Sequence, residues 1–181
     1  MPAATFPKRL SALSPPWQGV AVALGAGLMA LASQLAIPLP EGVGVPITLQ
    51  TYALLVMAGL LGARLALIAV LVWLVIAALG APVLADGAGG WRAVTGITAG
   101  FLVGMAAAAW ICGRGAERVS GVWPLAALFL AGHVVVLMLG WAGLVSFMDP
   151  GSAFEYGIMP FLPGAVVKSL AAALTVRWVA R

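Results

Sequence analysis

Charge is what this sequence has least of. Only 8% of its 181 residues are Asp, Glu, Lys or Arg, with nine basic residues against five acidic ones. A soluble domain of this size needs far more charge to cover its surface, so a water-soluble fold is excluded. One cysteine, Cys112, excludes an internal disulfide; set in an apolar run beside Gly113, it reads as inert packing. One histidine, His133, with no Cys, Asp or Glu at ligand spacing, gives no metal site. It reads as a hydrogen-bonded packing or pocket residue, with a proton relay as the sharper alternative. No serine or threonine has a local base, so neither a catalytic residue nor a cofactor is expected. Strand-length alternation is missing, which disfavours a β-barrel. Gly164 to Ser169 resembles the end of a phosphate-binding loop, but the glycine before Lys168 and the preceding strand are absent, so no ATPase is expected.

What is there is hydrophobic: 64% of the residues, at a mean hydropathy of +1.14. Long runs rich in Ala, Leu and Gly predict an all-α integral membrane protein, a compact bundle of six transmembrane helices in a single domain over 1–181. The expected spans are Trp17–Ile37, Ile47–Leu61, Leu65–Leu79, Gly96–Cys112, Val122–Phe147 and Pro160–Val179. Residues 1–16 form an N-terminal segment, frayed or lying at the interface, and the stretch from Trp17 reads as a first span rather than a cleaved signal. Gly62-Ala63-Arg64 is so short a connection that spans two and three must run antiparallel. The stretches Gly80–Thr95 and Met148–Met159 read as loops. With six spans, Lys8, Arg9, Arg64, Arg114, Arg118, Arg177 and Arg181 share one side, which predicts cytoplasmic termini and a cell-membrane location.

Lys168, one of two lysines, then lies in the outer half of the last span, and Arg92 in an outer loop. An ammonium at membrane depth costs about 3 kcal/mol on insertion scales, so it needs a partner, a wet cavity or a route to the headgroups. Snorkelling is one reading; a cation facing a pocket is the other. Polar residues gather at the same outer ends: Thr48, Gln50 and Thr51; Arg92, Thr95 and Thr98; Tyr156 and Lys168. Trp91 and Phe101 add aromatic faces. Interfacial anchoring explains Trp91 and Tyr156. It does not require Gln50, Thr98 and Lys168 within helices. Together they describe a site for a small molecule with an apolar body, a hydrogen-bonding head and a carboxylate. Small residues four apart form stripes for close helix packing: Gly96, Gly100 and Gly104 inside the bundle, and Ala26 with Ala30, then Ala32 with Ala36, which suit packing inside or against another protein.

Several motifs resemble the BioY family, the biotin-binding S components of energy-coupling-factor (ECF) transporters. They are Pro46-Ile47-Thr48-Leu49-Gln50-Thr51 with Ala58 to Arg64, Ala81-Pro82-Val83 with the Gly-rich loop after it, Gly96-Ile97-Thr98-Ala99-Gly100-Phe101, and Pro160-Phe161-Leu162-Pro163-Gly164 with Lys168 four residues on. The resemblance covers about residues 17–181 and implies capture of biotin from the external side. It implies a lid over Pro38–Pro46 and substrate contacts from Arg92, Thr98 and Lys168, to which Gln50 is added from the first motif. It also implies docking through Ala26, Ala30, Ala32 and Ala36 of span one on a transmembrane coupling subunit that joins two ATP-binding subunits. Two departures stand out. Ala165 replaces the family's usual Asp, which would accept from ureido nitrogens, leaving Asp86, Asp149 or Glu155 to supply an acceptor. Ile97 and Ala99 replace the usual Pro and Gly. Another vitamin as ligand, or a helical scaffold with no ligand, are the alternatives.

Overall fold

A computed structural model describes residues 14–37 and 45–180. Among the described residues seven α-helices carry the fold: α1 Pro15–Gln34, α2 Gln50–Ala78, α3 Trp91–Thr95, α4 Ala99–Ala116, α5 Val122–Leu144, α6 Pro150–Gly157 and α7 Leu162–Val179. Prolines open α1, α6 and α7 in the first turn, where a missing N–H costs nothing. Among the described residues five stretches are long and apolar enough to cross a membrane: α1, α2, α4, α5 and the run Pro150–Val179. The protein is therefore nearly all-helical and multi-pass. Large side chains such as Leu24, Leu31, Val75, Trp123 and Trp178 lie exposed on its outside, as lipid contact allows.

The 29-residue α2 breaks at Gly62, which has φ 77° and ψ 178°. That backbone is left-handed and suits glycine. Along one continuous helix, residues 57 and 69 would be about 18 Å apart. Here Met57 Sδ and Ala69 Cβ both lie within 3.0 Å of where a Cβ on Gly25 would stand. The arms 50–61 and 63–78 thus lie side by side, with Gly25 of α1 between them. At the break, Glu117 Oε1 accepts the Ala63 N–H at 3.2 Å, and Glu117 Oε2 accepts from Arg114 at 2.8 Å. The carboxylate caps the free N–H end of the second arm. Arg64, Arg114 and Arg118 consequently share this end of the bundle.

At the opposite end, α1 and α2 are tied by a two-residue antiparallel pairing, Ala36 with Thr48 and Ile37 with Ile47. The expected lid falls between these strands; its residues 38–44 lie outside the described residues, as do Lys8, Arg9, Arg181 and most of the N-terminal segment. The core is small-residue rich, with Ala58, Ala66, Ala69, Ala108 and Ala172 fully buried around Trp73 and Phe129. Trp73 satisfies its indole N–H on Val83 O at 2.9 Å. Tyr52 joins α2 to α7 through Thr175 at 2.9 Å.

Four expectations need correction. Both stretches read as loops contain a helix, α3 and α6. The Gly96 stripe is shorter than expected: a Cβ on Gly104 would stand 2.8 Å from Val136 Cα of α5 and one on Gly100 would also meet the α5 backbone, but Gly96 sits in the turn before α4, where a Cβ would meet Arg92 O instead. Ala26 and Ala32 do not form an outer docking face, because both are buried in the core and Ala30 packs against it. They are small so that α2 can approach α1. The exposed small residues of α1 are Gly19, Ala23 and Gly27, with nothing within 4 Å of a Cβ at either glycine.

Candidate functional site

The start of α2 carries polar side chains into the bundle, and hydrogen bonds explain how it can. Thr48 Oγ1 donates to Gln50 Oε1 at 2.8 Å. Gln50 Nε2 donates to Ser33 Oγ at 2.6 Å, and Ser33 Oγ donates to Met29 O at 2.8 Å. Gln50 is 6% exposed and Ser33 fully buried. Left unpaired, such groups would cost about 1–3 kcal/mol each. The chain of bonds ties α1 to α2, so Gln50 is an internal strut whose amide is engaged at both ends.

Lys168 is half-buried on α7. Its side chain runs back over Gly164: Cε and Nζ lie 3.8 Å from where a Cβ on Gly164 would stand. The ammonium donates to the carbonyl oxygen of Thr48 at 2.7 Å. Among the described residues the salt bridge is Arg114–Glu117, and Lys168 has no carboxylate partner. Two N–H bonds of the ammonium remain to be used. The next residue, Ser169, lies 2.9 Å from His133 Nδ1 of α5. Both are buried, at 2% and 4% exposure.

Thr48, Gln50, Lys168 and His133 border one cavity, whose empty space together with the adjoining solvent at its mouth is about 700 Å³. Thr48, Gln50 and Thr51 line it from the head of α2, Leu84 and Ala85 from the following loop, Thr98, Phe101, Leu102 and Met105 from α4, His133, Val136 and Leu137 from α5, and Phe161, Ala165 and Lys168 from the last segment. Val45 and Pro46, the described end of the expected lid, complete the wall. Phe101 and Phe161 stack tilted by 39° with ring centroids 6.0 Å apart. The cavity pairs apolar and aromatic walls with hydroxyls and a single cation. That arrangement can bury a flat apolar body and fix a carboxylate by a charge-assisted hydrogen bond; the described residues contain no metal-ligating cluster.

Of the residues expected from the sequence, Lys168, Thr98 and Gln50 line this one cavity. Arg92 does not: it is exposed on α3, off the cavity wall, because the short helix turns it outward. Trp91 is likewise exposed. None of Asp86, Asp149 and Glu155 lines the cavity. Asp149 is occupied elsewhere as the N-cap of α6, accepting from Gly151 and Ser152 at 3.0 Å. The hydrogen bonds from Ser152 and then Gly151 hold its carboxyl below the usual range. Sequence reasoning did not foresee the Thr48 carbonyl as the partner of Lys168. A backbone acceptor 120 residues away leaves no side-chain signal. His133 was visible as a lone polar residue in an apolar span; its partner Ser169 was not.

A sequence profile of the BioY family matches residues 9–181. The Biotin transporter BioY of Rhizobium etli is 39% identical over 140 residues, 72% of this chain and 75% of that protein. The Probable biotin transporter BioY of Pyrococcus horikoshii is 29% identical over 153 residues, 84% of this chain and 90% of that one. Among solved structures, the S-component for biotin from an ECF-type ABC transporter superposes with a TM-score of 0.83 at 22% identity, covering 93% of this chain and 94% of the other. At that identity the likeness carries the fold.

Proposed function

The chain belongs to the BioY family, and from that premise we propose that it captures biotin in the cavity below the strand pair and serves its uptake as the membrane-embedded substrate-binding subunit of an ECF-type transporter. It is a transport component rather than an enzyme. The observation that carries the reading is Lys168: a half-buried ammonium without a carboxylate partner among the described residues, on the wall of a mostly apolar cavity. Biotin has the matching chemistry in an apolar bicycle and chain, a ureido head and a carboxylate. Lys168 fixes the anion, Thr98 adds a hydroxyl, and Gln50 keeps the wall in shape. Arg92, exposed at the same end of the bundle, draws an anion toward the mouth by its charge.

The chain crosses the membrane six times in this reading, the two arms of α2 counting separately at the Gly62 break. Both termini are then cytoplasmic, and the basic end at Arg64, Arg114 and Arg118 faces inward. The cavity, about 20 Å away along α2 and α4, opens outward in the cell membrane. The outer face of α1 at Gly19, Ala23 and Gly27 replaces the buried alanines as the surface for a coupling subunit, which would bring two ATP-binding subunits. The reading is tested by uptake of labelled biotin into cells lacking their own biotin transporter, with and without coupling and ATP-binding subunits. Uptake that depends on this chain and is lost in Lys168→Met supports it. Uptake equal to that of empty cells, with the protein present in the membrane, overturns it.

A further inference from the structure

Among the described residues one buried side-chain polar atom has no hydrogen-bond partner: Nε2 of His133. Folded proteins rarely leave such an atom unpaired without a function for it. His133 is 4% exposed, its Nδ1 is tied to Ser169 at 2.9 Å, and the ring lies on the cavity wall with Lys168 and Ala165. Ala165 and Ser169 are four residues apart and share one face of α7. The methyl group at 165 offers the imidazole neither a donor nor an acceptor. The other strong acceptor near the cavity, Gln50 Oε1, is used by Thr48, and no Asp or Glu lines the wall among the described residues.

Resting on the biotin reading, we propose that His133 is a ligand-contacting, specificity-determining residue whose Nε2 accepts a hydrogen bond from a ureido N–H of bound biotin. Ser169 is its positioning residue. With Nδ1–H donated to the Ser169 oxygen, the lone pair of the neutral ring sits on Nε2. The cavity then reads the two ends of one molecule differently: the Lys168 cation takes the carboxylate, and the histidine takes a donor of the head. An apolar cavity that hydrogen-bonds one N–H discriminates strongly against an isostere lacking it, because the buried acceptor is left bare.

The test is calorimetric binding to the purified full chain in detergent. It compares the wild type with His133→Phe, His133→Gln and Ser169→Ala, using biotin and two cyclic-carbamate analogues in which one or the other ureido N–H is replaced by oxygen. His133→Phe should weaken biotin binding about 10- to 100-fold, the scale of a lost buried hydrogen bond. His133→Gln, whose amide oxygen can accept, should recover part of it, and Ser169→Ala should fall between. One carbamate should bind the wild type as weakly as biotin binds His133→Phe, and lose nothing more in that variant. If folded His133→Phe, or His133→Gln should the first not fold, loses equally for biotin and both carbamates, the histidine is structural and the proposal fails. Biotin affinity unchanged in His133→Phe overturns it too, while leaving the biotin reading intact. A folded wild type that does not bind biotin at all overturns both.

Discussion

Replacing Lys168 by Met separates binding from folding. Met keeps the length and apolar stem of the side chain but removes the ammonium and its 2.7 Å bond to Thr48 O. In the folded protein this cation has no carboxylate partner among the described residues, so its burial is only partly offset. Thr48 keeps its side-chain bond to Gln50 at 2.8 Å and the strand pairing with Ala36, which hold the head of α2 without the lysine. Stability should therefore stay level or rise slightly, as buried charges are often replaceable by apolar groups. Binding should respond in the opposite sense. A hydrogen bond to a charged group contributes about 1.5–3 kcal/mol, so biotin affinity should fall roughly 10- to 150-fold. The pair of assays is calorimetric titration with biotin and a thermal melt of the same detergent sample. Unchanged affinity would remove Lys168 from the site. A fall in melting temperature matching the fall in affinity would make the lysine a structural tether of the strand pair, and the reasoning would be refuted.

Gln50→Leu should lower stability by about 1–3 kcal/mol, because Ser33 loses its donor and Thr48 its acceptor inside the bundle; thermal unfolding in detergent measures it, and an unchanged melt would show that water replaces the amide. Gly104→Leu must push α4 from α5, since even a Cβ would stand 2.8 Å from Val136 Cα, costing about 1–3 kcal/mol or more. Gly27→Leu, with open space at its Cβ, should leave the melt unchanged yet abolish co-purification with a coupling subunit. Asp149→Ala should speed amide exchange at Gly151 and Ser152, which the carboxylate caps. The folded carboxyl is held below its unfolded range, so its contribution is present above the unfolded value and is lost as pH falls through the folded one; the difference between wild type and variant should vanish in acid.

Much of this architecture is legible because a membrane allows few alternatives. Apolar runs of spanning length must be helices, and Gly62-Ala63-Arg64 marks where the chain turns back. Lys168 and Gln50 stand out for the same reason: a polar group within an apolar helix is costly unless something answers it; Thr98, expected within a helix as well, sits in the turn just before α4. The short helices were missed because Gly, Pro and polar residues dominate both stretches. For α6 the signal existed, an Asp149 cap followed by Pro150 at the first helical position. Arg92 misled because its position in the chain puts it near Thr98, whereas α3 turns it outward. The alanines of α1 misled for a different reason. A four-residue spacing of small side chains marks close helix approach but does not say whose helix approaches. Two such stripes exist on α1; the one containing Ala26 is consumed by α2, and the one containing Gly19, Ala23 and Gly27 is left outside.

The most direct measurement is equilibrium binding of labelled biotin to the purified protein in detergent, with unlabelled biotin and other vitamins as competitors. The account predicts saturable binding at about one site per chain, displaced by biotin and not by the other vitamins, and weakened in Lys168→Met. A monodisperse, thermally cooperative sample that binds no biotin, or binds another vitamin in its place, would contradict it.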